Sequence, residues 1–219
     1  MNRPIITSDG SHTLFNVEIG EHYHSIFGAV TESEHIFIRA GLGAISSDLK
    51  EIRVLEIGLG TGLNALLAMQ WAEDNNKLLD YFALETFPIE KEIVDKLNYP
   101  ELLGINPERF IAIHEAKSGK ETISDQFYFA FQQTTLQESI LPLNHFDVVF
   151  FDAFSPEVQP EMWTETCFAK IAKAMKQEGI LTTYSCKGIV KRALKAAGFQ
   201  IEKIPGPPGK REFLRAVKR

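Results

Sequence analysis

The stretch Val54-Leu55-Glu56-Ile57-Gly58-Leu59-Gly60-Thr61-Gly62-Leu63-Asn64 constrains the fold of this chain more than any other. Its short apolar run, interrupted only by Glu56, predicts a buried strand. Three glycines at alternate positions end the run, and Ala65-Leu66-Leu67-Ala68-Met69 continues in good helix formers. Strand, glycine loop and helix in immediate succession predict one βα unit of an open α/β sheet. Glycines in such a loop reach positive φ and let a ligand lie against the backbone. The free N–H groups at the helix start then face a polar ligand. Gly58, Gly60 and Gly62 spell G-x-G-x-G, one residue short of the spacing that cradles a dinucleotide pyrophosphate.

The rest of the chain extends that unit. Apolar runs predict strands over 52–57, 79–85, 110–114, 127–132, 146–152 and 179–184, with two last strands over 199–204 and 212–218. Helices are expected over 63–74, 89–97, 162–175 and 189–197, and a hairpin or inserted loop over the polar stretch 117–125. This alternation implies an α/β fold: a Rossmann-like, mostly parallel seven-stranded sheet with helices on both faces. Residues 7–40 read as β-rich, from the alternating run at 13–19, the Gly20-Glu21 turn and the apolar run at 34–38, and a brief helix is expected over 42–49. The expected division is an N-terminal β-rich appendage over 1–50, packed on a catalytic domain over 51–219.

Composition narrows the setting. A chain of 219 residues with 44% apolar and 24% charged content suits one globular domain with a small appendage. It has no apolar run long enough for a membrane span, and Met1-Asn2-Arg3-Pro4 does not lead into a signal-peptide core. Cys167 and Cys186 are the only cysteines, so neither a disulfide framework nor a cysteine zinc site is expected. These features predict a cytoplasmic protein without a metal. The net charge of −6 hides an asymmetry: residues 186–219 carry ten Lys or Arg against two Glu, a net of +8, which leaves −14 on the remainder. A basic segment on an acidic body can supply phosphate contacts.

Three acids fall at the ends of expected strands: Glu56, Glu85 and Asp152. Ligands bind at those carboxyl ends in open α/β sheets. With Glu56 two positions before Gly58, the pattern E-x-G-x-G-x-G suits a nucleoside cofactor without a pyrophosphate, such as S-adenosylmethionine. Glu85 sits where a carboxylate binds two ribose hydroxyls, and Phe87 and Pro88 supply an apolar wall beside the adenine. Asp152-Ala153-Phe154-Ser155-Pro156 reads as a rigid lip over the pocket. Methyl transfer from a sulfonium needs position and a free lone pair on the acceptor. An Asp with nearby backbone carbonyls suits an amine, which must only lose its proton. Attack through C5 of a pyrimidine would require a cysteine at the lip, and neither cysteine is there.

Three blocks carry a family resemblance: Glu56 to Asn64; Asp152-Ala153-Phe154-Ser155-Pro156 with Gln159-Pro160-Glu161-Met162-Trp163; and Thr183 to Arg192 followed by Ala197-Gly198-Phe199 and Gly209-Lys210-Arg211-Glu212. They resemble the methyltransferase module of the bifunctional tRNA 5-methylaminomethyl-2-thiouridine biosynthesis proteins over nearly the whole chain. The resemblance implies a class I S-adenosylmethionine-dependent methyltransferase acting on the aminomethyl nitrogen at C5 of the tRNA wobble uridine. It implies cofactor contacts from Glu56, Gly58, Gly60, Gly62, Asn64, Glu85 and Asp152, and catalytic roles for Asp152, Phe154 and Ser155. Lys187, Lys191, Arg192, Lys210 and Arg211 would then hold tRNA phosphates. Tyr23 and Phe154 would stack on a splayed base, and His24 and Glu21 would help receive the amine proton. Trp163 is expected as a core anchor.

Two departures accompany the resemblance. The family's Gly-Asp after the fourth strand, whose acid meets the adenine amine, is replaced here by Gln133-Thr134-Thr135. The flavin oxidase half of the bifunctional protein is not expected, so other enzymes would supply the aminomethyl group, and docking to them is a further expectation. The rival readings are a polyamine-forming aminopropyltransferase and a catalytically silent tRNA-binding module of the same fold.

Overall fold

The computed structural model describes residues 2–116 and 119–219. Three short strands open it, β1 (Asn2–Ile6), β2 (His12–Asn16) and β3 (Glu21–His22), joined as a small antiparallel sheet. The chain then turns helical: α1 (Ala29–Ser33) runs on through π-helical turns at Glu34–Arg39 and a 3₁₀ turn at Leu42–Ala44. Two expectations change here. The strand expected over 34–38 is helical, with Ile36, Phe37 and Ile38 all buried against the core. The helix expected over 42–49 shrinks to the 3₁₀ turn.

The central sheet is built from β4 (Glu51–Ile57), β5 (Leu78–Glu85), β6 (Lys120–Ser124), β7 (Phe127–Gln133), β8 (Phe146–Phe151), β9 (Met175–Thr183), β10 (Phe199–Pro205) and β11 (Glu212–Lys218). Their order is β10-β11-β9-β8-β4-β5-β7-β6, eight strands among the described residues where seven were expected. The five inner strands run parallel, β11 pairs antiparallel with both β9 and β10, and the added edge strand β6 pairs antiparallel with β7. Thus the 120–124 part of the polar stretch forms one arm of a hairpin, while 117–118 lie outside the described residues.

The helices are α2 (Leu63–Asp74), α3 (Lys91–Val94), α4 (Tyr99–Leu103), α5 (Pro107–Glu115), α6 (Glu165–Ala174) and α7 (Gly188–Ala196). The expected strand over 110–114 is helix α5. Asn106 caps it, its side chain accepting from Glu108 N–H, Pro107 opens its first turn, and Phe110 and Ile113 form its buried face. The expected helix over 162–175 is cut at Thr164, which is extended and whose hydroxyl accepts from Cys167 N–H at 3.2 Å to cap α6. Met175 already belongs to β9. The helix expected over 89–97 is only α3, with α4 following.

Period-two alternation divides the core. Val54 packs with Tyr81, Phe129 and Phe150 on the α2 face of the sheet, whereas Leu55 and Ile57 pack with Phe151, Phe168 and Leu194 on the α6–α7 face. Glu56 therefore points to the α2 face. Sheet register then builds the site. Ile57 pairs with Leu84 of β5 and with Phe151 of β8, so Gly58, Glu85 and Asp152 emerge on one row. Gly58 N–H donates to Leu84 O at 2.9 Å and Asp152 N–H to Ile57 O at 3.0 Å, extending the ladder one step past the strands. Strand order reverses at β4, and the row lies at that switch point.

Candidate active site

A cavity of about 1030 Å³ opens above this row. Its floor is Ile57 to Thr61, its sides are formed by Glu85 to Pro88 and Asp152 to Ser155, and the N-terminal segment around Glu21–Phe27 covers it. The glycine loop is tightly determined. Gly58 has φ +89, and a Cβ there would lie 2.8 Å from the Asp152 carbonyl oxygen. Gly62, the residue before α2, has φ +74 and would meet His114 Nε2 at 2.7 Å. Any side chain at either position strains the backbone and pushes it off the neighbouring strand or helix.

One half of the cavity suits a nucleoside. Glu85 Oε2 accepts from Gly60 N–H at 3.0 Å and Oε1 from Phe87 N–H at 2.9 Å, which leaves each oxygen a lone pair for a ribose hydroxyl. Burial raises the Glu85 pKa above its ordinary value. Phe87 is 79% exposed on the same wall, placed to cover an adenine. Thr134 lines the cavity, and its N–H donates to Glu85 O at 3.2 Å. The glycine cradle, the facing carboxylate and the volume fit S-adenosylmethionine.

Glu56, Gly62 and Asn64 are not on the cavity wall; they sit behind the loop. Asn64 Nδ2 donates to Asp152 Oδ2 at 2.9 Å, which fixes one carboxylate oxygen and leaves Oδ1 to the cavity. Glu56 is fully buried with Asn64 and Tyr81 as polar neighbours, and burial, aided by the Asp152 charge, pushes its pKa well above the carboxylate range. Burial therefore favours its protonated form more than in an ordinary carboxyl group. A carboxyl whose folded pKa is raised stabilises the fold below its unfolded pKa and loses that contribution as pH rises through the folded value. Glu56→Gln is thus expected to flatten the fall in melting temperature as pH rises above the ordinary carboxyl value of 4.5, as a series of thermal melts would show.

The other half of the cavity is formed by the lip and the N-terminal segment. Burial, reinforced by the Glu32 charge, pushes the Asp152 pKa up to about 7. Tyr23 packs edge-on against Phe154, with ring centroids 5.0 Å apart. Ser155 donates twice to Glu21, from its N–H at 3.2 Å and from its hydroxyl, tying the lip to β3. Trp163 is buried as expected and donates from Nε1 to Phe154 O at 2.8 Å. His24 is buried, and burial pushes its imidazole down to about 4, so it is a weak base. Two participants were given no role by the sequence: Glu32 on α1, and Tyr184 just past β9 within the block Thr183 to Arg192. Tyr184 donates its hydroxyl to Ala153 O at 2.9 Å, and Glu32 Oε2 accepts from Ser25 N–H at 2.8 Å.

The basic residues expected on phosphate separate into groups. Lys187 pairs with Glu157 near the lip. Arg192 and Arg211 are exposed and Lys191 is half-buried, with no ion pair among the described residues. Lys210 does not face outward; it lines the cavity and pairs with Glu32 at 2.8 Å. The described residues hold no cluster suited to a metal ion, and no described helix is long and apolar enough to cross a membrane.

The family described as S-adenosyl-L-methionine-dependent methyltransferase matches residues 107–219. The tRNA 5-methylaminomethyl-2-thiouridine biosynthesis bifunctional protein MnmC of Campylobacter hominis is 30% identical over 93% of this chain and 31% of its own length. The protein of the same name from Nitrosospira multiformis is 32% identical over 92% of this chain and 34% of its length. The chain thus spans about a third of these curated relatives. Among solved structures, MnmC2 from Aquifex aeolicus shares the fold with a TM-score of 0.83 at 23% identity, covering 100% of this chain and 70% of that one. Spermidine synthase from Thermotoga maritima shares it more loosely, with a TM-score of 0.52 at 11% identity over 100% of this chain and 69% of that one. With a family match over more than half of its residues, and a glycine-floored cavity at the switch point of its sheet, the chain belongs to the S-adenosyl-L-methionine-dependent methyltransferases.

Proposed function

We propose that this methyltransferase acts on the aminomethyl nitrogen at C5 of the tRNA wobble uridine, giving the 5-methylaminomethyl product. The observation that carries this reading is Asp152: a half-buried carboxyl just past the end of β8, fixed by Asn64 through one oxygen, its other oxygen open to the cavity. The printed names of the curated relatives support the choice of tRNA as substrate. Spermidine synthase shares the fold alone and does not favour the aminopropyltransferase reading.

S-Adenosylmethionine supplies an electrophilic methyl on a sulfonium. In this reading Gly58, Gly60 and Glu85 hold it directly, while Glu56, Gly62 and Asn64 shape the loop from behind. Asp152, with a pKa of about 7, takes the proton of the incoming ammonium and holds the amine with its lone pair towards the methyl. Phe154 and Tyr23 wall the acceptor side, and Ser155, tied to Glu21, fixes the lip. The weak base His24 is a poorer proton acceptor than Asp152, so its place is in packing the wall. Residues 1–50 act as the cover over the catalytic domain of 51–219. The setting is the cytoplasm, where docked or free upstream enzymes supply the aminomethyl group.

Incubating the protein with S-adenosylmethionine and tRNA bearing the aminomethyl uridine, then digesting and weighing the nucleosides, tests this reading. One added methyl on that nucleoside is expected; an unchanged profile refutes it. The exposed cations lead to a separate expectation. Arg211→Ala or Arg192→Ala should weaken tRNA binding and reduce the slope of log affinity against log salt by about one unit. Binding isotherms at several salt concentrations measure it, and an unaltered slope in both variants would place the phosphates elsewhere.

A further inference from the structure

Lys210 is the one cation of the basic C-terminal segment that the fold brings into the reaction cavity. It stands on the turn between β10 and β11, closed by Lys210 N–H to Pro207 O at 2.9 Å and Gly206 N–H to Arg211 O at 3.0 Å. Its Nζ lies 2.8 Å from Glu32 Oε1 and 4.1 Å from the centre of the Tyr184 ring. The Lys210 side chain is 25% exposed and that of Glu32 is 7% exposed. Both partners are themselves anchored, Glu32 to Ser25 N–H and Tyr184 to Ala153 O. A carboxylate and an aromatic face hold the ammonium from two sides, which accounts for its turning away from the surface.

An ammonium has three N–H donors and no acceptor. Glu32 holds it as an ion pair, so Lys210 keeps donor capacity for a ligand in the cavity that it lines together with Asp152. The acceptor half therefore presents an open carboxylate oxygen for an amine and an ammonium for a hydrogen-bond acceptor. A pyrimidine with an aminomethyl group at C5 matches both, because its C4 carbonyl is on the adjacent ring atom. An aliphatic polyamine offers only further ammonium groups, and Lys210 repels them.

We propose that Lys210 is a specificity-determining residue of the acceptor pocket, its ammonium reading the ring carbonyl beside the carbon that bears the aminomethyl group. This rests on the uridine reading above. The selectivity so produced is double: the base is favoured by a charge-assisted hydrogen bond, and polyamines are disfavoured by like charge.

Calorimetric titration of the protein loaded with S-adenosylhomocysteine tests it, with 5-aminomethyluridine and spermidine as the two probes. The wild type is expected to prefer the nucleoside. Lys210→Met should weaken the nucleoside about tenfold without weakening spermidine, so that the ratio of affinities collapses. Because Lys210→Met leaves Glu32 buried without its cation, the double variant Glu32→Gln/Lys210→Met is measured beside it and should show the same collapse. An unchanged ratio in variants that still bind S-adenosylhomocysteine would overturn the proposal. So would a wild type that does not bind the nucleoside. Loss of S-adenosylhomocysteine binding in both variants would make Lys210 a structural strap and overturn it too. Methylation of aminomethyl tRNA by the wild type, run in parallel, separates the two levels: its absence sinks the functional reading, whereas its presence with an unchanged ratio sinks only the role of Lys210.

Discussion

Asp152→Asn is expected to lower the methylation rate at saturating substrates by about a thousandfold, the middle of the range for losing a positioned proton acceptor. Cofactor affinity should change far less, because Asn has the same shape and Glu85 and the glycine loop are untouched. The pH profile carries the sharper signature. Asp152 must be ionised to take the ammonium proton, so wild-type activity should rise with pH and level off above about 7. The variant should lack that limb. Stability moves in the opposite direction. The folded pKa of about 7 lies above the ordinary 3.8, so the contribution of Asp152 to stability is present below about 3.8 and is lost as pH rises through about 7. Asp152→Asn should therefore melt higher than the wild type at pH 8 while being nearly inactive. Rate–pH series and thermal melts on the same preparations decide the matter. Undiminished turnover, or an acid limb that survives the substitution, would remove Asp152 from its role.

The opposed effects on rate and stability explain how much of this site could be read from sequence. Strands β4, β5 and β8 announce themselves through apolar runs, and the acids at or just past their ends stand out because nothing apolar explains them. Parallel register does the rest: once Ile57, Leu84 and Phe151 pair, Gly58, Glu85 and Asp152 share a row without further design. Local patterns misled where burial was not one-sided. Ile36, Phe37 and Ile38 are apolar in succession, which suits a buried helix turn as well as a strand. The run at 110–114 was short, and the better signal was the Asn106-Pro107 start with Phe110 and Ile113 three apart. At Thr164, capping chemistry overrode a helical pattern that continued on both sides.

The acceptor half was less legible for a different reason. Glu32, Tyr184 and Lys210 come from α1, from the end of β9 and from a hairpin turn, and they meet only when the N-terminal segment folds back over the sheet. No spacing within a window can encode that meeting. Charge counting placed Lys210 with Arg211 on the phosphates, although Arg211 is exposed while Lys210 is turned inward by a buried carboxylate. The same folding-back buries His24, whose backbone N–H donates to the Thr13 hydroxyl at 3.0 Å.

Glu85→Ala is expected to weaken S-adenosylmethionine binding by about 10²–10³-fold, the loss of two hydrogen bonds to a charged acceptor. Part of that loss is indirect. Glu85 also holds Gly60 N–H and Phe87 N–H, so the substitution frees the middle of the glycine loop and the wall beside the adenine. Glu85→Gln tells these contributions apart. It keeps the volume and one acceptor oxygen but turns an NH₂ towards one of the two backbone donors, so it should weaken binding less than Ala and more than a neutral change. Cofactor analogues lacking one ribose hydroxyl isolate the direct part. In the wild type they should bind more weakly than the parent, and in Glu85→Ala the difference between parent and analogue should vanish. A difference that persists in the variant would move ribose recognition away from Glu85. Acid should have a related effect: burial has raised the Glu85 pKa, so cofactor affinity should start to fall at a higher pH than an ordinary carboxylate would allow. Calorimetric titrations of parent and analogue across that acid range would show both effects in one series.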